Sequence, residues 1–162
     1  MLIATLAITT LSACATTSRG RPCTLIGSPS GVSIGIDPAV AERVNTAEMT
    51  VCWNESCQTW TVALYASSRT VSDGCTQTGP GAACSAHAEA TAGKAGFVDL
   101  ADLPSSPVEV TVTLTDSAGA RVVDQALMLT PKMTYPNGPG CGAGGPQGRI
   151  TVGADATARS AG

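Results

Sequence analysis

The sequence is short of charge. Lys, Arg, Asp and Glu together make up 13% of its 162 residues, about half the share of an ordinary soluble domain. The net charge is −3, and neither a cluster of Lys and Arg nor an acidic tail occurs along the chain. Nucleic acid is bound through a concentrated basic patch, so it is not expected as a partner. Aromatic residues are also scarce: Trp53, Trp60, Tyr65, Phe97 and Tyr135 are the five in the chain. A fold of this size needs at least two of them for its core. Few are then left for a sugar-stacking platform.

Histidine is scarcer still. His87 is the single copy, and a nucleophilic triad or a proton shuttle has to be built on it. Cys84 and His87 stand at a Cys-x2-His spacing, but a closed zinc site takes four ligands. Asp99 and Asp102 lie three apart, and Glu42 and Glu48 flank a turn. Paired carboxylates can hydrolyse glycosides, yet such clefts are rich in aromatics, so these acids read as solvated surface. "GCGAGG" lacks the strand, the helix and the Lys of a phosphate loop. "NES" at Asn54 reads as a turn. No catalytic residue, metal ligand or cofactor is assigned. A metal-handling protein, a small-ligand protein or a small hydrolase using His87 is the alternative class.

Long apolar runs are missing beyond the N-terminus, so no later stretch could span a membrane as a helix. The first 13 residues, "MLIATLAITTLSA", carry no charged side chain. They are too short to span but long enough for the apolar region of a signal peptide. Leu11, Ser12, Ala13 and Cys14 follow the order aliphatic, small, small, cysteine. This quartet resembles the lipobox of bacterial lipoproteins. The resemblance implies that the Cys14 thiol receives a diacylglyceryl group and that cleavage makes Cys14 the first mature residue. The positive charge of the family's leader is absent here, and translation is expected to start upstream of Met1. The chain as a whole resembles small exported lipoproteins of high-GC Gram-positive bacteria, a likeness that implies no activity.

Cysteine parity agrees. The chain has seven: Cys14, Cys23, Cys52, Cys57, Cys75, Cys84 and Cys141. Assigning Cys14 to lipid leaves six, enough for three disulfides in an oxidising compartment. Cys52 and Cys57 flank a tight turn, and facing residues at a hairpin end suit a disulfide. Cys75 and Cys84 close a Gly-rich segment. That leaves Cys23 with Cys141.

Residues 15–21 are small and polar, a tether between lipid and domain. From Cys23 onward the apolar pattern has period two. "GVSIGI" aligns Val32, Ile34 and Ile36 on one face, and "AEMTVCW" aligns Met49, Val51 and Trp53. "PVEVTVTLTD" alternates Val108, Val110, Val112 and Leu114 with Glu109 and three Thr, giving one buried and one wet face. "DSAG" turns the chain into "ARVVDQALMLT", whose inward residues are Val123, Leu127 and Leu129. "GFVDL" and "GRITV" are shorter strand candidates. The expected core comprises Trp60, Val62, Leu64, Phe97, Val108, Val110, Val112, Leu114 and Leu127. "DPAVAERVN" has helical texture, with Asp37 as cap and Pro38 in the first turn, for a single turn or a loop.

Short strands with frequent turns predict an all-β sandwich. "FVDLADLPSSPVEVTVTLTDSAG" resembles the E-to-F region of immunoglobulin-like and fibronectin-like domains, with Trp60 resembling their core Trp. Their inter-sheet disulfide is absent. The expected organisation is a signal peptide over 1–13, a tether from Cys14 to residue 21, an antiparallel sandwich over 22–153 and a frayed tail over 154–162. Ala66–Gly93 and Pro131–Gly148 read as irregular loops, one of which would contact a partner. The expected partners are the membrane, through lipid on Cys14 at its outer face, and an envelope or extracellular protein.

Overall fold

The computed structural model describes residues 23–161. The leader, the lipobox with Cys14 and the tether lie outside the described residues. Ten strands run in chain order: β1 (Gly31–Ile36), β2 (Thr46–Trp53), β3 (Ser56–Thr61), β4 (Tyr65–Cys75) and β5 (Cys84–Asp99), then β6 (Val108–Thr115), β7 (Arg121–Leu129), β8 (Lys132–Met133), β9 (Pro146–Val152) and β10 (Ala158–Ser160). A single helical turn, α1 (Pro38–Ala41), joins β1 to β2. The Asp37 carboxylate caps it by accepting from the Ala39 N–H at 2.9 Å, which satisfies one of the donors left open at a helix start.

Two sheets pack face to face. One has the order β10-β9-β1-β5-β4 with β8 on β9, and the other β3-β2-β6-β7. This is an immunoglobulin-like sandwich. The strands β4, β5 and β1 take the D-E-B places, while β3, β2, β6 and β7 form the opposite C′-C-F-G sheet. The place beside B that strand A fills in such domains is taken here by β9. Strand β9 runs parallel to β1, so the expectation of a wholly antiparallel sandwich is corrected at that pair. The reason is directional. Strand β7 ends at the end of the sandwich where β1 begins, so a chain entering the other sheet there must run alongside β1.

Strand alternation builds the core. Val32, Ile34 and Ile36 of β1 meet Met49 and Val51 of β2, all four inward residues of β6, and Ile150 and Val152 of β9. Each such side chain contributes roughly 1.5–3 kcal/mol on burial. The outward face of the second sheet is laid with threonines, with Thr50 and Thr59 sharing a hydrogen bond at 2.7 Å across β2 and β3. Leu100 and Leu103 are buried in the corner that carries the chain from β5 to β6.

The core differs from expectation at four places. Val62, Val108, Val110, Val112 and Leu114 are buried, but Trp60, Leu64 and Leu127 are half-buried at its margin. Phe97 is 38% exposed. Val98 takes the inward position instead, in register with Val32. The Phe97 ring lies over Gly31, where an added Cβ would come within 2.4 Å of the ring, so the glycine is needed for that close approach.

The expected frayed tail is also corrected. Residues 158–160 form β10 against β9, and Ala158 is buried. Gln125 clamps this strand to the other sheet: its Nε2 donates to the Ala158 carbonyl at 2.8 Å and its Oε1 accepts from the Ala158 N–H at 2.9 Å. In the preceding turn, Arg159 Nη2 donates to Asp155 Oδ2 at 2.7 Å. That bond, followed by the Thr157 N–H, holds the Asp155 carboxyl well below the usual carboxylate range.

Candidate functional site

Ala66–Gly93 is not an irregular loop. It is most of a long hairpin, β4–β5, and its outer part leaves the sandwich. Strand β5 pairs with β1 only from Lys94 to Asp99, whereas its earlier residues pair with β4 alone. Ser, Thr, Ala and Gly fill these positions without apolar alternation because neither face meets a core. The result is an arm: β4 and the first seven residues of β5 are exposed apart from half-buried Ser67 and Val71.

Three interactions across the arm hold its shape. Arg69 donates from Nε and Nη2 to Glu89 Oε2 at 2.9 and 2.7 Å. His87 Nδ1 and Asp73 Oδ1 are 2.7 Å apart. At the tip, Cys75 and Cys84 face each other in register and form a disulfide with a Cα separation of 4.0 Å. Two irregularities in register, at Ala66/Ser68 and Ser72/Gly74, bend the outer strand. Such bends and charges suppress unwanted pairing along an open sheet edge.

The arm gives His87 one carboxylate partner and no nucleophile. The Cys84 sulfur is bonded to Cys75, and the His87 side chain is 57% exposed. The acids are not gathered either. Asp99 and Asp102 are exposed around the β5–β6 corner, Glu42 is exposed at the opposite end after α1, and Glu48 is exposed on the outer face of β2. Among the described residues, no group of three His, Cys, Asp or Glu is placed to hold a metal ion. No helix among them is long and apolar enough to cross a membrane.

Pro131–Gly148 lies at the end of the sandwich where β1 begins, and it is sewn to the start of the domain. Cys23 and Cys141 form a disulfide across 118 residues. Asn137 Oδ1 accepts from Thr24 Oγ1 at 2.5 Å and from the Ile26 N–H at 3.0 Å. Its Nδ2 donates back to the Ile26 carbonyl at 3.0 Å. Thr134 Oγ1 donates to Ser28 Oγ at 2.7 Å. Nothing in the spacing marks Asn137 out as a clamp, because its partners lie more than 100 residues away. The third disulfide, Cys52–Cys57, closes β2–β3 at this same end.

The arm projects from the opposite end. There α1 and the β6–β7 turn flank a cavity of about 500 Å³. By the strand correspondence, these are the B–C and F–G connections. The sandwich therefore has a stapled end and an open end. Three disulfides fit an extracellular location, where such bonds persist. No protein-family model, curated protein or solved structure matches this chain.

Proposed function

We propose that this protein is a lipid-anchored module of the cell envelope that binds a protein partner through its arm and performs no catalysis. The observation that carries the reading is the opposition of the two ends. Cys141 ties Cys23 to the stapled end, and Cys23 follows the lipobox cysteine, Cys14, by nine residues. A nine-residue spacer reaches about 30 Å at full extension, so a lipid on Cys14 keeps that end near the membrane. The arm and the cavity then face away. Of the two segments considered for contact, this favours Ala66–Gly93 over Pro131–Gly148, which is occupied in holding the start of the domain.

Two measurements test this. Labelled palmitate should enter the wild type and not Cys14→Ser; equal labelling sinks the anchor. A photocrosslinker placed at Gln77 should capture an envelope or extracellular protein in intact cells, whereas one at Thr59, on the outer face of β3 opposite Thr50, should not. Turnover of a peptide, ester or glycan that is abolished by His87→Ala would overturn the non-catalytic reading.

A further inference from the structure

The stapled end exposes apolar side chains and also holds them in place. Leu25 is 100% exposed, and Ile26, Met133 and Tyr135 are 58%, 41% and 59% exposed. All four belong to the two segments that Asn137 and the Cys23–Cys141 disulfide join. The Gly145 N–H adds a bond between the same segments, to the Ser28 carbonyl at 2.8 Å. Thr24 Oγ1 and the Ile26 N–H both donate to Asn137 Oδ1. Leu25 is therefore fixed between two anchored neighbours with its side chain wholly in water. Single apolar residues scattered over a surface are ordinary, but four on two stitched segments form a patch. Among the described residues, the arm and the turns at its end expose only Tyr65 of this class.

The path of the chain names the occupant. The nine-residue spacer from Cys14 reaches the domain at Cys23, two residues before Leu25, so a lipid on Cys14 sets this patch against the bilayer that holds it. Backbone groups that leave water need internal partners, and Asn137 takes both the N–H and the carbonyl of Ile26. Tyr135 carries an apolar ring with a polar tip, which suits the headgroup level of a bilayer. Charge does not drive the contact: at this end exposed Glu55, Asp99, Asp102 and Glu109 outnumber Lys132. The attraction is removal of apolar side chains from water, which needs no anionic lipid.

We propose that the stapled end docks on the outer face of the membrane by inserting Leu25, Ile26 and Tyr135 at the headgroup level, so that lipid and patch together hold the sandwich with its arm outward. This deepens the reading of the protein as a membrane-anchored module and rests on it. The test places a photocrosslinker at Tyr135 in cells grown with radioactive phosphate. The protein should acquire a phospholipid adduct, seen as a phosphate label that phospholipase C removes. A diacylglyceryl group on Cys14 contains no phosphate and adds no label. Crosslinkers at Gln77 and Thr59 should give no such adduct. Leu25→Ser with Ile26→Ser should lower the Tyr135 adduct by about tenfold or more, because two apolar side chains leave the contact. Leu25→Ser alone, at a wholly exposed side chain, should give a smaller loss in a protein that stays folded by circular dichroism. No adduct at Tyr135, an undiminished adduct in both variants, or a crosslinked dimer of this chain in its place overturns the proposal. The second outcome would make the tether alone the cause, and the third a second copy. If labelled palmitate enters the protein and Tyr135 gives no adduct, the docking inference alone fails. If the adduct forms and palmitate does not enter, the anchor reading alone fails.

Discussion

Two hairpins of this protein are closed by disulfides, and they are stabilised in different ways. In β2–β3, Cys52 and Cys57 face each other across a two-residue turn in which Asn54 and Glu55 adopt φ of 50° and 61°, the backbone that joins twisted strands tightly. Met49 and Val51 of the same hairpin are completely buried. In β4–β5, Cys75 and Cys84 face each other in the same manner, but the surrounding ribbon is wet on both sides. An isolated two-stranded ribbon is marginal in water, and an exposed ion pair such as Arg69–Glu89 adds about 0–1 kcal/mol. In the first hairpin the disulfide supplements a core. In the arm it stands in for one.

The largest expected effect sets the body against the arm. Val110 is fully buried, and Val110→Asp would leave an unpaired charge in an apolar interior, a loss of several kcal/mol. The domain should unfold by circular dichroism. Thr111→Asp, one residue along on the outer face, should remain folded, and equal effects would mean that the faces are reversed. Next comes the long staple. Cys23→Ser with Cys141→Ser releases a loop of 118 residues, a loss of about 4–5 kcal/mol on chain-entropy grounds. Urea denaturation should show a lower midpoint.

A sharper test uses the two hairpins themselves. Their disulfides span 5 and 9 residues, so chain entropy assigns each about 2–3 kcal/mol. The readouts should nevertheless differ. Cys52→Ser with Cys57→Ser should lower the melting temperature by about 5–8 °C, because that hairpin melts with the core. Cys75→Ser with Cys84→Ser should shift it by less than about 2 °C. Amide exchange at Ser68–Ser72 and Ser85–Ala90 should instead become fast. Equal melting shifts would show that the arm is part of the cooperative unit.

The smallest effect concerns β10. The Asp155 carboxyl is lowered, first by the Arg159 guanidinium and then by the Thr157 N–H. A lowered acid contributes stability above its unfolded value, about 3.9, and loses it as pH falls through the folded value. Exchange protection of β10 should therefore be the same at pH 5 and pH 7 as far as this pair is concerned. Asp155→Asn should loosen β10 at both.

Legibility followed the environment of each segment. Strand β6 reads directly because one face meets the core and the other water, so apolar and polar residues alternate without a break. The Cys52–Cys57 bridge reads from spacing because both partners are local. Phe97 misleads because a large ring next to Val98 outweighs it by size, while parity with Val32 decides which of the two turns inward. The arm misleads more. A ribbon wet on both faces carries no period, so its Ser, Thr, Ala and Gly pattern cannot be told from a loop. The late strand β10 hides among small polar residues because its anchor, Gln125, lies 33 positions away.

The sequence by itself determined the sandwich, its alternating inner face and the arithmetic of three disulfides beyond Cys14, since these depend on local period, turn chemistry and parity. Only the tertiary structure decided that β9 fills the place beside β1, that the arm leaves one end while Cys23 is held at the other, and that Asn137 ties exposed Leu25 and Ile26 to the late loop. Each of these depends on which distant segments meet. Contacts of that kind are selected by closure of the core and by the direction in which each strand enters its sheet, and no short stretch of sequence carries that information.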